Sequence, residues 1–225
     1  MRVAGLVAGA VATAVIAVGA IGYAVAEGGG PAGPADGSAA AGTTAPALTV
    51  PAAGSADAGF ARDMAVHHQQ AVEMSYIVRD RTSDPEVRRL AYDIAQTQAN
   101  QRGMLLGWLD LWGLPKVSAG PPMAWMGMGG AASRATDADG ALMPGMATDA
   151  QLKELGRLRG RAAEVLYLRL MTAHHRGGIH MAQACAAACA VGAEKRLAQG
   201  MVDAQQSEID LMADMLRKRG AATGS

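Results

Sequence analysis

The sequence predicts an all-α protein, an antiparallel four-helix bundle made of two repeated helical hairpins and preceded by an N-terminal membrane helix and a flexible linker. Three observations carry that expectation. The stretch at residues 60–75, FARDMAVHHQQAVEMS, recurs without gaps at 167–182 as YLRLMTAHHRGGIHMA, with Arg62/Arg169, Met64/Met171, His67/His174, His68/His175 and Met74/Met181 identical. The same offset matches Gln98 to Gln205 downstream, so one supersecondary unit is used twice about an approximate two-fold. Residues 57–220 are rich in Ala, Leu and Met, short of aromatic rings, and place apolar residues three and four apart, the helical period.

Residues 3–26 form an uncharged apolar run behind Arg2. As a helix it extends about 36 Å, enough to cross a hydrocarbon layer of about 30 Å. Arg2 and the amino terminus keep that end cytoplasmic. Ala24-Val25-Ala26 also reads as a small-residue cleavage site, so residues 1–26 are expected to be an anchor or a secretory signal. Either exports the rest, giving a cell-membrane protein with its C-terminal domain outside, or a secreted one. Residues 27–56 are Gly, Pro, Ala, Ser and Thr with almost no large apolar side chains, a composition too poor in burial to offset ordering entropy.

The bundle is expected over 57–220: a first repeat at 57–113, a Met-rich connection at 114–147 and a second repeat at 148–220. Asp57 is expected to cap a first helix running to about Asp80, with Phe60, Met64, His67, Ala71, Met74 and Val78 on one face. Asp84-Pro85 reads as a cap and first-turn proline for a second helix. That helix buries Val87, Leu90, Ala91, Ile94, Gln98, Leu105, Trp108 and Leu109 and stops at Gly113 and Pro115. Thr148 or Asp149 caps a short helix through Leu158. A third long helix runs from about Arg161 to Ala190 with Met171, His174, Gly178, Met181 and Cys185 inward. A fourth runs from Gly192 to about Arg219, burying Leu197, Met201, Ala204, Glu208 or Ile209, Leu211, Met212 and Met215.

Met64, His67 and Met74 lie within a stripe about 80° wide on one helical face, and Met171, His174 and Met181 repeat it. His68 and His175 fall at the stripe's edge. If the two stripes face each other, thioethers and imidazoles converge on one interior zone. Thioether with imidazole and no carboxylate suits copper(I) or silver(I), whereas calcium and magnesium need oxygen donors. The alternative is packing alone, since Met fills cores and a histidine on an apolar face is commonly a core residue. Met123, Met126 and Met128, with Met143 and Met146, either pack the connection or form a second soft-metal site. Cys185 and Cys189, four apart, are bridged if the helix has loosened there and free thiols if it has not.

A net charge of zero gives no basis for nucleic-acid binding. No Glu-x-x-His pair for a bundle di-iron centre, no His-Glu-x-x-His, no Gly-rich phosphate loop and no Gly-x-Ser-x-Gly occurs. Glu73 and Glu208 lie near the stripe without a partner, so catalysis is the weaker reading.

These residues resemble a known family, the bacterial domain of unknown function 305 group of ferritin-like, HH-motif exported proteins. The resemblance rests on Phe60-x3-Met64-x2-His67-His68-x2-Ala71-x2-Met74, on Met143-Pro144-Gly145-Met146, and on Tyr167-x3-Met171-x2-His174-His175-x2-Gly178-x2-Met181. It implies an exported or membrane-tethered ferritin-like bundle, some of whose members bind copper or confer copper or silver tolerance. Carried over position by position, it implies metal ligands at Met64, His67, His68, Met74, Met143, Met146, Met171, His174, His175 and Met181. Tyr167 stands where the family has Phe, and the cysteine pair is not part of the pattern. The expectation is an extracytoplasmic copper-handling protein without turnover. The alternative is an interaction or scaffold module of the cell envelope in which the HH pairs only pack.

Overall fold

The first helix begins two residues earlier than a cap at Asp57 sets it, at Ala56, because Ser55 is its cap: the Ser55 hydroxyl accepts from the Ala58 N–H at 3.2 Å. A computed structural model describes residues 50–127 and 141–221. The expected anchor at 3–26, most of the expected linker, and Met128 lie outside the described residues. Among those described, no helix is long and apolar enough to cross a membrane.

Five α-helices, one 3-10 turn at Ala124–Met126 and no strand occur among the described residues: α1 (Ala56–Arg79), α2 (Pro85–Leu111), α3 (Asp149–Arg157), α4 (Gly160–Ala188) and α5 (Gly192–Lys218). Asp84 caps α2 through bonds from the Glu86 and Val87 N–H groups, with Pro85 in the first turn. Its other end closes with Gly113 N–H to Asp110 O and Leu114 N–H to Leu109 O, a Schellman motif. Thr148 and Gln151 form a reciprocal capping box on α3.

The helices make a bundle from two hairpins, α1 with α2 and α4 with α5, joined through α1 against α4. That central pair is antiparallel. Asp57, at the start of α1, accepts from Ala190 and Val191 beyond the end of α4, while the Gly160 N–H at the start of α4 donates to the Arg81 carbonyl just past α1. Two buried clusters result. One holds Phe60, Met64, Met143, Met181, Cys185 and Met201, the other Met74, Ile94, Tyr167, Met171, Met212 and Leu216.

The inward stripes of α1, α2 and α4 fall where the period puts them, except that Trp108 is only half-buried. The reading of α5 needs correction. Ala204 and Leu211 face solvent, Leu197 and Ile209 are half-buried, and Ala198, Gln205 and Leu216 go inward. This helix covers one side of α4, and the narrow stripe it buries is turned from the one its apolar residues trace. Far from the cysteines, a buried ionic knot ties the helix ends. Arg219 donates to Glu164 at 2.7 Å and to Asp84 at 2.7 Å, and the Thr82 hydroxyl donates to Glu164 at 2.6 Å.

Candidate metal centre

The two HH pairs meet at the centre of the α1–α4 contact, and all four rings are fully buried. The His67 and His174 rings lie 3.7 Å apart between centroids, tilted by 32°. His174 Nε2 donates to the His67 carbonyl at 3.0 Å. His68 and His175, expected at the stripe's edge, turn toward their own hairpin partners. His68 Nε2 donates to Gln101 Oε1 at 2.9 Å from α2, and His175 Nε2 donates to Glu208 Oε2 at 2.6 Å from α5. Glu208, expected to lack a partner, therefore has one.

In all four rings Nδ1 is buried without a hydrogen-bond partner, and His67 Nε2 is unpartnered as well. His68 and His174 each spend Nε2–H on a carbonyl oxygen, leaving Nδ1 as a bare lone pair, and His175 gives its Nε2–H to a carboxylate. Imidazoles that ligate metals are prepared in this way, the second nitrogen being fixed by an outer acceptor. Burial holds the His67, His68 and His174 rings neutral. It lowers the His67 pKa well below the usual value, with His68 and His175 adding to the effect and the nearby Pro144 carbonyl opposing it. Burial takes His68 down to about 3 against the opposing Gln101 bond. His174 is lowered well below the usual value by burial and by the proximity of His67 and His175.

Thioethers lie on both sides of this imidazole layer. Met64, Met143 and Met181 are buried in one cluster with Met146 packed against it, and Met74 and Met171 are buried in the other. The connection reaches the site because of one position in each repeat. Gln70 on α1 grips Ala147 through two bonds, Nε2–H to the Ala147 carbonyl at 2.8 Å and Ala147 N–H to Oε1 at 2.7 Å. Gly177 on α4 leaves room for the Pro144 carbonyl, which a Cβ there would meet at 2.1 Å. Between them Met143-Pro144-Gly145-Met146 closes a turn, with Met146 N–H to Met143 O at 3.1 Å and Gly145 at φ 82°. That is the order a type II turn demands. Met123 is buried, and Asp63 accepts both its N–H, at 2.7 Å, and the Trp125 indole, at 2.9 Å. Trp125 in turn sits edge-on to Phe60.

Tyr167, the departure from the family's Phe, has a local reason: its hydroxyl meets the Ser75 hydroxyl at 3.0 Å in the core. The sequence reading missed Gln70, Gln101 and Asp57. Gln101 was within reach, because it occupies the repeat position of Glu208 as His68 does that of His175. Asp57 does not cap α1. Its carboxylate accepts from Ala190 N–H at 2.9 Å and Val191 N–H at 2.7 Å.

The cysteines are bridged, and Cys189 has left the helix as the C-cap of α4, with ψ 145°. The extended residue supplies the approach that an intact helix withholds. Beside the bridge Glu194 is fully buried, and neither of its oxygens accepts a hydrogen bond from an N–H group. Burial and the neighbouring Asp57 carboxylate push its pKa up to about 9. Among the described residues, one trio of cysteine, histidine or carboxylate donors gathers within 4.8 Å, and it is Cys185, Cys189 and Glu194 rather than the histidines.

A family model, Domain of unknown function (DUF305), matches residues 57–216. No curated protein matches the chain. Among solved structures, a DUF305 protein from Streptomyces coelicolor, designated a candidate secreted protein, is 70% identical over 77% of this chain and 99% of its own, with a TM-score of 0.71. A DUF305 fragment from Deinococcus radiodurans is 29% identical over 72% of this chain and 96% of its own, TM-score 0.59. CopM in its Cu(I)-bound form is 20% identical over 72% and 96%, TM-score 0.55, a likeness of fold.

Proposed function

From the premise that the chain belongs to the DUF305 family, we propose that it is an exported protein that binds copper(I) or silver(I) as cargo, to buffer it or hand it on. The observation that carries this reading is the layer of four fully buried imidazoles, His67, His68, His174 and His175, whose Nδ1 atoms have no hydrogen-bond partner. Buried polar atoms without partners are costly and uncommon, and four in one layer ask for an explanation. Soft thioethers of Met64, Met74, Met143, Met146, Met171 and Met181 flank the layer, and the donor chemistry fits copper(I) better than a hard ion. The CopM structures, which carry Cu(I), Cu(II) or Ag, share the fold and support the same reading. The secreted designation of the Streptomyces protein supports export.

Titration of the chain with copper(I) against a chromophoric competitor tests this. The expected dissociation constant is below about 1 μM, weakened at least about tenfold in the His67→Ala/His174→Ala double variant. Unchanged binding in that variant removes the proposal.

A second reading, a packing module of the envelope, is favoured by the bonds of His68 to Gln101 and His175 to Glu208, which tie each central helix to its partner. It expects copper to leave the melting temperature unmoved. The copper reading expects a rise of several degrees at saturating metal, because a ligand of the folded state alone stabilises it.

A further inference from the structure

We propose that the dithiol form of this protein holds a zinc(II) ion through Cys185, Cys189 and Glu194, at the end of the bundle away from Arg219, and that formation of the disulfide closes this site. It is separate from the imidazole layer and does not rest on the copper reading.

The two ends of the molecule differ in a way the repeat makes plain. His67 and His174 are 107 positions apart, and the same offset makes Asp57 the counterpart of Glu164. Both are buried acids at the start of a central helix. Glu164 is met by the guanidinium of Arg219. The counterpart of Arg219 is Trp112, an indole, and among the described residues no cationic side chain pairs with Asp57 or Glu194. One end carries its compensating cation in the sequence, and the other has two carboxyl groups without one.

Glu194 is the second observation. It is fully buried, and among the described residues no N–H donor reaches either of its oxygens. Its one polar neighbour besides the sulfurs is the Asp57 carboxylate, and one oxygen lies within 4.8 Å of both Cys185 Sγ and Cys189 Sγ. Two buried carboxyl groups beside two sulfurs, with no N–H or cationic side chain on Glu194, are costly as a packing feature. Two thiolates and a carboxylate are a zinc donor set, with the fourth tetrahedral position left to water. Asp57 stays in an outer role, its Oδ1 holding the Ala190 and Val191 amides and hence the joint at 189–191 on which Cys189 rides.

The redox step balances with a dithiol reductant. A reductant thiolate attacks one cysteine sulfur and the Cys185–Cys189 bond breaks. That attack forms a mixed disulfide with one cysteine and frees the other as a thiolate. The reductant's second thiol then attacks the mixed disulfide, frees the remaining cysteine and leaves the reductant as a cyclic disulfide, two electrons and two protons having passed to the cysteine pair. Zinc displaces the protons its donors carry and releases them to solvent.

The test uses the full chain, purified under excess dithiol, exchanged into anaerobic buffer and loaded with cobalt(II) as the spectroscopic stand-in for zinc. The expected result is a thiolate-to-cobalt charge-transfer band in the near ultraviolet, lost on addition of one equivalent of zinc. The band is expected to be absent from the oxidised chain and retained in His67→Ala/His174→Ala, which separates this site from the imidazoles. Glu194→Gln, folded by circular dichroism, weakens zinc by about tenfold or more. A reduced, folded chain with no such band overturns the proposal, as does a disulfide that survives excess dithiol in the folded chain. Equal zinc affinity in Glu194→Gln overturns the carboxylate's part in it.

Discussion

His67 and His174 stack at 3.7 Å between ring centroids, across the contact of the two central helices, and His174 spends its Nε2 proton on the carbonyl of His67 itself. Each repeat thus supplies half of one imidazole layer, and the ring nitrogens left over point into a sealed interior. Neutral imidazoles tolerate that arrangement and charged ones do not.

Acid is therefore expected to destabilise the fold well before its exposed carboxylates protonate. His67, His68 and His174 have folded pKa values below the usual 6.5, so the unfolded chain binds more protons below that pH and stability falls as pH drops, toward about 3 for His68. Glu194, raised to about 9, works the other way: its contribution is lost as pH rises through about 9. Three lowered histidines outweigh the two raised carboxyls, Glu194 and Asp63, so the net slope between pH 6 and 5 is on the order of 1–3 kcal/mol per pH unit toward instability in acid. Urea midpoints at pH 7, 6 and 5 check this, and a flat profile contradicts the buried neutral layer.

Gly177→Ala is expected to lower stability by about 1–3 kcal/mol, because its Cβ meets the backbone of Pro144 and the connection must move. Gly178→Ala meets the Gln205 side chain instead, which can turn away, so its cost is the smaller of the two. Thermal melts of both variants give the order. Copper(I) affinity falls in Gly177→Ala if Met143 and Met146 contribute to the site.

Glu208→Gln places in the second repeat the residue that the first carries as Gln101, and is expected to change stability by less than about 1 kcal/mol. Glu208→Ala removes the acceptor of the buried His175 Nε2–H and is expected to cost about 1–3 kcal/mol. Denaturant unfolding of the pair reads the difference, and equal costs show that the bond contributes nothing.

Arg219→Ala leaves the buried Glu164 without its guanidinium and is expected to cost about 3–5 kcal/mol. A simultaneous Glu164→Gln recovers part of that loss. A single variant as stable as the parent, by calorimetry, removes the ionic knot from the list of what holds the hairpins in register.

The sequence by itself determined the helical class, the two hairpins and the inward faces of the central helices, because those depend on period and on a repeat printed twice. Met64, His67 and Met74 share a face in any helix, as do their copies. It did not determine which helices touch, since the surface a helix buries depends on its neighbours. Leu211 thus lies outward against the pattern, and Asp57 spends its carboxylate on Ala190 and Val191, far along the chain, instead of on its own helix. Tertiary structure alone joined His67 to His174, drew the turn around Pro144 and Ala147 onto Gly177 and Gln70, and set Glu194 beside the cysteines. Each of these joins residues distant in the chain, and local propensity carries no information about partners that only folding brings within reach.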